Sequence, residues 1–319
     1  MNKHRGISLM EVLIAIGILS IGLLGVASLI PIGKLAMMQV EKSDRTGACG
    51  RAAIHEVQVR RMLDFTRWLT QAGSPIAADA TPDFIAIDPL GIGVSSQLGG
   101  TSGIERLTLN WPGLDKVFYW QDELIFDLPG ERTTIPASAG DRPWATTVSG
   151  DPTDPQLHNE NFSWFFTVSP SPADTLASPQ VPISERRSFG VSVIVCHKRI
   201  LSAEGERTIA NVTCDSGVGY GGIGVTVADQ DVTTGTPPIK KNNWVLLYNA
   251  TQQSWYRVVH VGFDGTDSRM TLVGSDWHGG ATANIVIVDG VTGAYATPVT
   301  CGMIQANGQW IPDNITGLQ

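Results

Sequence analysis

The longest apolar run of the chain lies near its N-terminus, where 21 residues from Val12 to Ile32 carry no charge. An α-helix rises about 1.5 Å per residue, so this run spans about 30 Å, the thickness of one hydrocarbon core. Lys3 and Arg5 precede the run, and basic residues beside a membrane helix favour the cytoplasmic side. The pattern therefore predicts one membrane-spanning helix, with the rest of the chain exported.

Glu11 is the exception within this apolar segment, which begins at Ile7. A carboxylate at membrane depth costs about 2.5–3.5 kcal/mol on insertion scales, so it predicts a partner or a function. The alternative is that Glu11 reaches to the membrane interface and has no role. A secretory signal peptide would have a shorter core followed by a small-residue cleavage site, whereas the polar residues here precede a long core.

The ten residues from Gly6 to Ala15, GISLMEVLIA, resemble the type III signal sequence of type IV prepilins and type II secretion pseudopilins. The resemblance implies that a prepilin peptidase cuts after Gly6 and methylates the new N-terminal amine of Ile7. It also implies that Glu11, as the fifth mature residue, pairs with the N-terminal amine of a neighbouring subunit. Residues 21–27 are further similar to those of PilV-like minor pilins.

The same resemblance implies the partners and the location of the protein. The partners are the prepilin peptidase/methyltransferase, other pilins or pseudopilins, an inner-membrane assembly platform and the lipid bilayer. The chain is expected to cross the bacterial inner membrane once, with an exported head, and then to enter a periplasmic or surface filament. The net charge of -8 shows no basic excess, so no nucleic-acid partner is predicted.

Beyond the apolar run, residues 33–70 are predicted to continue the same helix in amphipathic form. Apolar residues recur at spacings of three and four between 51 and 69, and Gly73, Ser74 and Pro75 end the pattern. The resemblance to prepilins implies that residues 1–6 are a cleaved leader and that residues 7–32 are the membrane and assembly helix.

The remainder of the chain is predicted to be a β-structured head. Residues 71–187 are rich in turn-forming prolines, with short strands at 104–109, 117–120 and 162–168. From 188 onward β-branched runs alternate with turns, which favours an antiparallel sheet or a small barrel. These runs are 191–196, 209–214, 224–228, 244–248, 255–263, 270–273 and 283–288.

These patterns together predict an α+β fold. A long N-terminal helix would pack on an antiparallel β-sheet head over residues 71–187, and an additional β-rich module would occupy residues 188–319. Such a head is large for a major pilin, which favours a minor subunit.

The sequence contains few patterns that would indicate an enzyme. There is no HExxH, GxSxG or Walker A pattern, so no catalytic residue, metal ligand or cofactor is predicted. Two aspartate-rich turns, at 151–154 and 264–267, offer fewer oxygens than the six to eight that calcium takes. The glycine-rich stretch at 217–224 lacks the strand and helix that would flank a phosphate-binding loop.

The four cysteines permit disulfides if the head lies in an oxidising compartment. Cys196 and Cys214 fall on two predicted strands and form the favoured pair, whereas Cys49 and Cys301 are left open. Burial as free thiols is the alternative.

Two other functions remain open at this stage. The chain can be a periplasmic enzyme or receptor domain held by a simple signal anchor and never polymerised. It can also be an adhesin displayed on a filament, with its ligand site in the β-rich C-terminus.

Overall fold

The fold is described from a computed structural model of the chain. The described residues are 9–91, 104–110, 118–120, 162–170, 181–186, 188–200, 203–215, 222–228, 235, 237–263, 267–300, 302–306 and 309–313. The chain divides into two compact units, residues 1–45 and residues 46–319. Helix α1 is Leu9–Val59 and contains Pro31, with residues 9–45 in the first unit and residues 46–59 in the second.

Helix α1 ends earlier than the predicted boundary at residue 70. Arg61 adopts a left-handed backbone conformation with φ 53°, and the amide of Met62 donates to the carbonyl of Val57 at 3.0 Å. The chain then folds back, and the Trp68 indole donates to the Met62 carbonyl at 2.8 Å. The apolar spacing between 51 and 69 thus arises from a helix followed by a buried turn, because both place apolar residues against the same core.

Fifteen strands follow the helix within these described ranges. They are β1 Trp68–Leu69, β2 Phe84–Ile87, β3 Ile104–Leu109, β4 Tyr119–Trp120, β5 Phe162–Pro170, β6 Ser188–His197, β7 Glu206–Cys214, β8 Ile223–Ala228, β9 Trp244–Tyr248, β10 Gln253–Phe263, β11 Asp267–Val273, β12 Thr282–Val288, β13 Val291–Thr300, β14 Gly302–Ala306 and β15 Gln309–Asp313. In the described residues a 3₁₀ turn at Phe65–Arg67 precedes β1, and two more, Ile183–Glu185 and Ala203–Gly205, flank β6. The α+β class predicted from the sequence fits this succession.

The head sheet has seven strands in the order β1-β3-β2-β5-β6-β13, with β4 also paired to β5. β2 and β3 run parallel, with Phe84 opposite Ile104, whereas the other pairs are antiparallel. The sheet is therefore mixed, and a purely antiparallel head does not describe it.

A closed six-stranded barrel, in the order β10-β11-β8-β7-β12-β9, is inserted between β6 and β13. These two strands pair with each other along the head sheet, and the amide of His197 donates to the carbonyl of Gly290 at 2.7 Å. The predicted division at residue 188 is therefore wrong, since β6 and β13 belong to the head sheet. The chain leaves the sheet after β6, forms the barrel and returns to the same place. β14 and β15 pair as a separate two-stranded ribbon.

The head sheet is buried on both faces. On one face Trp164, Phe166 and Val193 share a core with Cys49 and Val57 of α1. A sheet covered on both sides has near-continuous apolar strands, as in β5, where eight of the nine residues are buried.

The opposite face of the head sheet packs against the outside of the barrel. Phe165 and Ile194 share a core there with Leu246, Val286 and Trp255. The Phe165 and Trp255 rings meet edge to face at 6.0 Å, and the Trp255 indole donates to Thr167 Oγ1 at 3.1 Å.

Along β9 and β12, successive side chains point alternately to the head sheet and to the barrel interior. Leu246 and Val286 point to the head sheet, whereas their neighbours Val245, Leu247 and Ile285 fill the barrel core. The period of two along each strand produces this division, because successive side chains point to opposite faces.

Substitution of two glycines on α1, Gly47 and Gly50, tests how closely the helix packs against Tyr295 of β13. A Cβ on Gly50 would lie less than 3 Å from three ring atoms of Tyr295, whereas one on Gly47 would make ordinary contacts at 3.6 and 3.9 Å. We expect Gly50→Ala to lower the free energy of unfolding by about 1–3 kcal/mol through overpacking. Gly47→Ala, the matched control, should raise it by up to about 1 kcal/mol through helix propensity.

Denaturant titration of the full chain in detergent, followed by tryptophan fluorescence, measures both changes. Equal effects of the two substitutions would contradict the close packing of α1 on β13.

Candidate functional site

The predicted site residues lie at the start of α1. Glu11 occupies the first turn of the helix and is exposed, whereas Gly6 and Ile7 lie outside the described residues. A carboxylate in the first turn of a helix is stabilised by the unpaired amides and the positive end of the helix dipole. The helix thus tolerates an acidic residue at this position better than further along the apolar segment.

The N-terminal part of α1 is apolar on all sides. Large apolar side chains are exposed at successive positions around the helix, without a polar face. They are Leu9, Met10, Val12, Leu13, Ile14, Ile16, Ile18, Leu19, Ile21, Leu23, Leu24, Leu29, Ile30, Ile32, Leu35, Met37, Met38 and Val40. A helix that is apolar all round needs lipid or protein around it. In the described part of the chain, α1 is the one helix long and apolar enough to cross a membrane.

The few polar groups in this part of α1 are arranged to suit an apolar environment. The Ser20 hydroxyl donates to the Ile16 carbonyl at 2.8 Å, so it needs no water. Glu41 and Arg45 form an ion pair at 2.7 Å one helical turn apart, in the region where charged residues return. The charge distribution therefore separates a membrane-compatible segment from a water-compatible one.

The first 27 residues match the family model described as the prokaryotic N-terminal methylation motif. The match supports a type IV pilin-like family for this chain. Neither the comparison with curated proteins nor the comparison with solved structures gave a significant match. The motif suggests a pilin-type substrate of prepilin peptidase that assembles with other pilins, and the apolar helix is consistent with membrane anchoring.

A second concentration of charge lies inside the head, where β2, β3, β6 and β7 come together. Arg199 makes a two-pronged contact with Asp88 at 2.6 and 3.0 Å, and Arg106 makes one with Glu206 at 2.7 and 3.1 Å. Arg106 also contacts Asp88, and Arg199 contacts Glu206 at 2.7 Å, which closes the four side chains into a ring. We call these four residues the ion-pair ring. The amide of Gly91 adds a hydrogen bond to Asp88.

Burial and charge act in opposite directions on the carboxyl groups of the ring. Burial alone would raise the pKa of Asp88, but Arg199 and Arg106 outweigh it and hold that pKa well below its usual range. The pKa of Glu206 is lowered for the same reason, again against the effect of burial. Both carboxylates therefore stay ionised, and the ring has no net charge.

The ring is a structural feature rather than a catalytic site. Its four side chains are each at most 4% exposed, so a substrate cannot reach them in the folded protein. Asp88 and Arg106 come from the head sheet, whereas Arg199 and Glu206 belong to the inserted segment. Each side of the contact contributes one acid and one base, so the ring joins the barrel to the sheet.

The predicted disulfide between Cys196 and Cys214 is not formed. Cys49, Cys196 and Cys214 are free and buried. Cys196 lies in the core between the sheet and the barrel, and Cys214 lies in the barrel interior, so the two thiols occupy different cores. Burial raises the pKa of Cys49 and Cys196 to about 12 and that of Cys214 to about 11, which suppresses thiolate chemistry. Cys301 lies outside the described residues.

The two aspartate-rich turns considered as calcium sites fall mainly outside the part of the chain that the structure describes. The turn at 151–154 and most of the turn at 264–267 lie outside the described residues. Within the described ranges, no three His, Cys, Asp or Glu side chains are grouped so that they could hold a metal ion.

Sequence reasoning missed the ion-pair ring. Asp88 directly precedes Pro89, one of the turn-forming prolines, and Arg106 falls within the predicted strand 104–109, and neither position by itself indicates an ion pair. The one signal in the sequence is that Arg106 shares a strand face with the apolar Ile104, because side chains two positions apart point to the same side. Its partners are distant in sequence, so no local pattern identifies them.

The ring predicts an acid-sensitive head. The pKa of Asp88 is lower in the folded than in the unfolded protein, so its contribution is complete above the unfolded value of about 3.9 and is lost as the pH falls toward the folded value. We expect the free energy of unfolding to change little between pH 8 and 5 and to fall below about pH 4. Denaturant titrations of the full chain in detergent across this range measure it.

Asp88→Asn is the control for this prediction. It should cost about 3–5 kcal/mol at pH 7, because an arginine loses its buried partner, and it should flatten the decline below pH 4. An acid slope as steep in Asp88→Asn as in the unchanged chain would show that Asp88 is not responsible.

Proposed function

We propose that the protein is a minor pilin or pseudopilin, a structural subunit of a type IV pilus or a type II secretion-like filament. In this proposal prepilin peptidase cuts after Gly6, the amine of Ile7 is methylated, and the subunit assembles through α1. The observation that carries the proposal is the methylation motif over residues 1–27, which includes the first turns of a helix that exposes apolar side chains on all sides.

Glu11 has a defined role in this proposal. In the membrane both its carboxylate and the free amine of Ile7 are costly when they are unpaired. Pairing of the amine of one subunit with Glu11 of the next removes both costs at once and sets the axial register between subunits. The subunit is thereby favoured in the filament over the free state in the bilayer.

The size of the head supports a minor rather than a major subunit. The head sheet carries an inserted barrel on the face opposite to residues 46–59 of α1, which adds bulk that a repeating subunit must accommodate at every position. A PilV-like place at the tip or in initiation avoids that constraint. The role proposed is structural and not enzymatic.

A filament-displayed adhesin is the second candidate. The insertion of a complete barrel into a single connection between β6 and β13 favours it, because such an insertion can carry a binding surface without altering the head sheet. A signal-anchored domain that never polymerises is the alternative to both.

Processing tests the first step of the proposal. We expect Gly6→Asp to block cleavage, so that the full chain keeps its leader and lacks the methyl group, since the peptidase reads the residue before the cut. Gly17→Ala is the matched control, because a Cβ at Gly17 meets no atom within 4 Å and processing should be normal. Intact-mass measurement of membrane-extracted protein, with and without the peptidase, distinguishes the forms. Identical masses in both strains would overturn the proposal.

Assembly tests the second step. We expect Glu11→Gln to leave cleavage and methylation intact but to lower the amount of subunit in sheared filaments at least tenfold, because loss of an ion pair in lipid exceeds about 1.4 kcal/mol. Glu41→Gln is the control, since Glu41 is an exposed acid on the same helix and pairs with Arg45. Filament fractions quantified by immunoblot give the ratio. Normal incorporation of Glu11→Gln would contradict the pairing role of Glu11, whereas absence of the unchanged chain from the filament fraction would favour the signal-anchored alternative.

A further inference from the structure

The pairing of β7 with β8 is the shortest in the barrel wall. In the described residues, β7 pairs with β8 only through its last two residues, Thr213 and Cys214. The other five neighbouring strand pairs of the barrel are in register over four to six positions each. One more backbone bond, from the Asp215 amide to the Gly224 carbonyl at 2.8 Å, extends the short pairing by one position. We call the paired residues 213–215 and 224–226 the seam.

A β-bulge in β7 accounts for the shortness of the seam. The register of β7 on β12 shifts between Ala283 and Ile285, where two residues of β7 lie opposite one residue of β12. One of the two is Asn211, which has φ 56° and whose amide donates to Asn284 Oδ1 at 3.0 Å. A bulge bends its strand and increases the local twist, so the part of β7 before the bulge diverges from β8.

The connection between β8 and β9 lies beside the start of β7, where β8 is not paired. A Cβ on Gly235 would collide with the guanidinium of Arg207, so this part of the connection lies directly against β7. Ile239, from the same connection, is buried in the barrel core. Backbone pairing therefore closes this side of the wall over the seam, and side-chain packing closes the rest.

An ion pair crosses the seam on the outside of the barrel. Arg269 of β11 pairs with Asp215, which directly follows β7, and β8 lies between the two strands. Ile223 and Val225 of β8 point into the barrel core, so Gly224 faces outward. A Cβ on Gly224 would collide with Asp215 Oδ2 and lie 3.0 Å from Arg269 Nη2. The lack of a side chain at this position thus lets the ion pair pass over β8.

Solvent reaches this ion pair from outside. Both side chains are 56% exposed, so added salt screens their attraction. Exposed ion pairs typically change an equilibrium by a factor of about two to five. The Arg269–Asp215 pair is therefore strong enough to alter how often the seam opens and too weak to keep it closed by itself.

We propose that the barrel opens locally at the seam, without unfolding of the head sheet, and that the Arg269–Asp215 ion pair holds the seam closed. Opening separates β7 from β8 and leaves β7 paired with β12. A segment held by few backbone bonds opens at a lower free energy than the whole protein. Salt thereby controls the access of water to the barrel core. The proposal concerns the barrel alone and does not depend on processing or filament assembly.

Two neighbouring amides distinguish opening of the seam from unfolding of the barrel. The Asp215 amide donates across the seam to Gly224, whereas the Cys214 amide donates to the Ala281 carbonyl, beside β12, at 2.8 Å. Hydrogen exchange of the full chain in detergent, resolved to single amides by mass spectrometry, compares the two. After correction for intrinsic rates, we expect the Asp215 amide to exchange at least about tenfold faster than the Cys214 amide.

The Cys214 thiol reports whether a reagent reaches the barrel core, in which it is buried. Its rate of labelling by iodoacetamide is measured on the full chain in detergent by peptide mass mapping. We expect Arg269→Gln to raise this rate about two- to fivefold, because the ion pair across the seam is lost. Sodium chloride at about 1 M should raise the rate similarly in the unchanged chain and leave the variant unaffected. Arg269 is substituted rather than Asp215, because Asp215, after burial, also raises the pKa of Cys214.

Arg257→Gln is the matched control for this substitution. Arg257 is an exposed arginine on the neighbouring strand β10, and it donates to the Asn242 side chain at 2.9 Å and not across the seam. The control changes the net charge equally and should leave the labelling of Cys214 as in the unchanged chain. Cys196, buried between the head sheet and the barrel, is the internal reference for unfolding. Its labelling should be the same in all three proteins.

The proposal fails on any of three results. They are equal exchange of the Asp215 and Cys214 amides, equal labelling of Cys214 in Arg269→Gln and the unchanged chain, and a rise in Cys196 labelling that matches the rise in Cys214. The last result would show that Arg269→Gln loosens the whole head and not the seam.

Discussion

Strands β5 and β6 present large apolar side chains to both faces of the head sheet, and the rest of the head is arranged to cover them. Residues 46–59 of α1 cover one face with a stripe that includes Cys49, Ala53 and Val57. The barrel covers the other face through the outward residues of β9 and β12 and Trp255 of β10. A single-layer head would leave one of these faces in water, where each large side chain costs about 1.5–3 kcal/mol. The barrel is therefore part of the head core as well as an addition to it.

The ion-pair ring adds specificity to this apolar contact. Apolar surfaces alone tolerate sliding, whereas four buried charges are satisfied at one relative position only. Asp88 and Arg106 on the sheet meet Arg199 and Glu206 where the insertion begins. At its other end the insertion is fixed by the pairing of β13 with β6. We infer that the ring contributes orientation more than net stability, because desolvation offsets much of its Coulomb energy.

The chain thus has one part suited to an apolar environment and another suited to water. The N-terminal part of α1 is apolar all round and carries the methylation motif, which suggests processing and assembly with other pilins. The head buries its apolar residues within itself and exposes mixed polar surfaces. In the function proposed here, the helix provides the general mechanism of the filament, and the barrel provides what distinguishes this subunit from others.

The sequence by itself determined those features that depend on neighbouring residues. Hydrophobicity and charge defined the membrane-compatible helix, and the resemblance of residues 6–15 to prepilin signal sequences identified its motif. Runs of strand-forming residues located β3 and β9 at their observed bounds. It did not reveal β13, whose Gly293 and Pro298 are unfavourable in a strand and which forms by pairing with β6. Nor did it show that α1 ends at Val59, that the barrel interrupts the sheet, or that Asp88 meets Arg199. The last two features join residues about a hundred positions apart, and the end of α1 depends on a buried turn. The free energy of all three comes from burial and pairing that exist only in the tertiary structure.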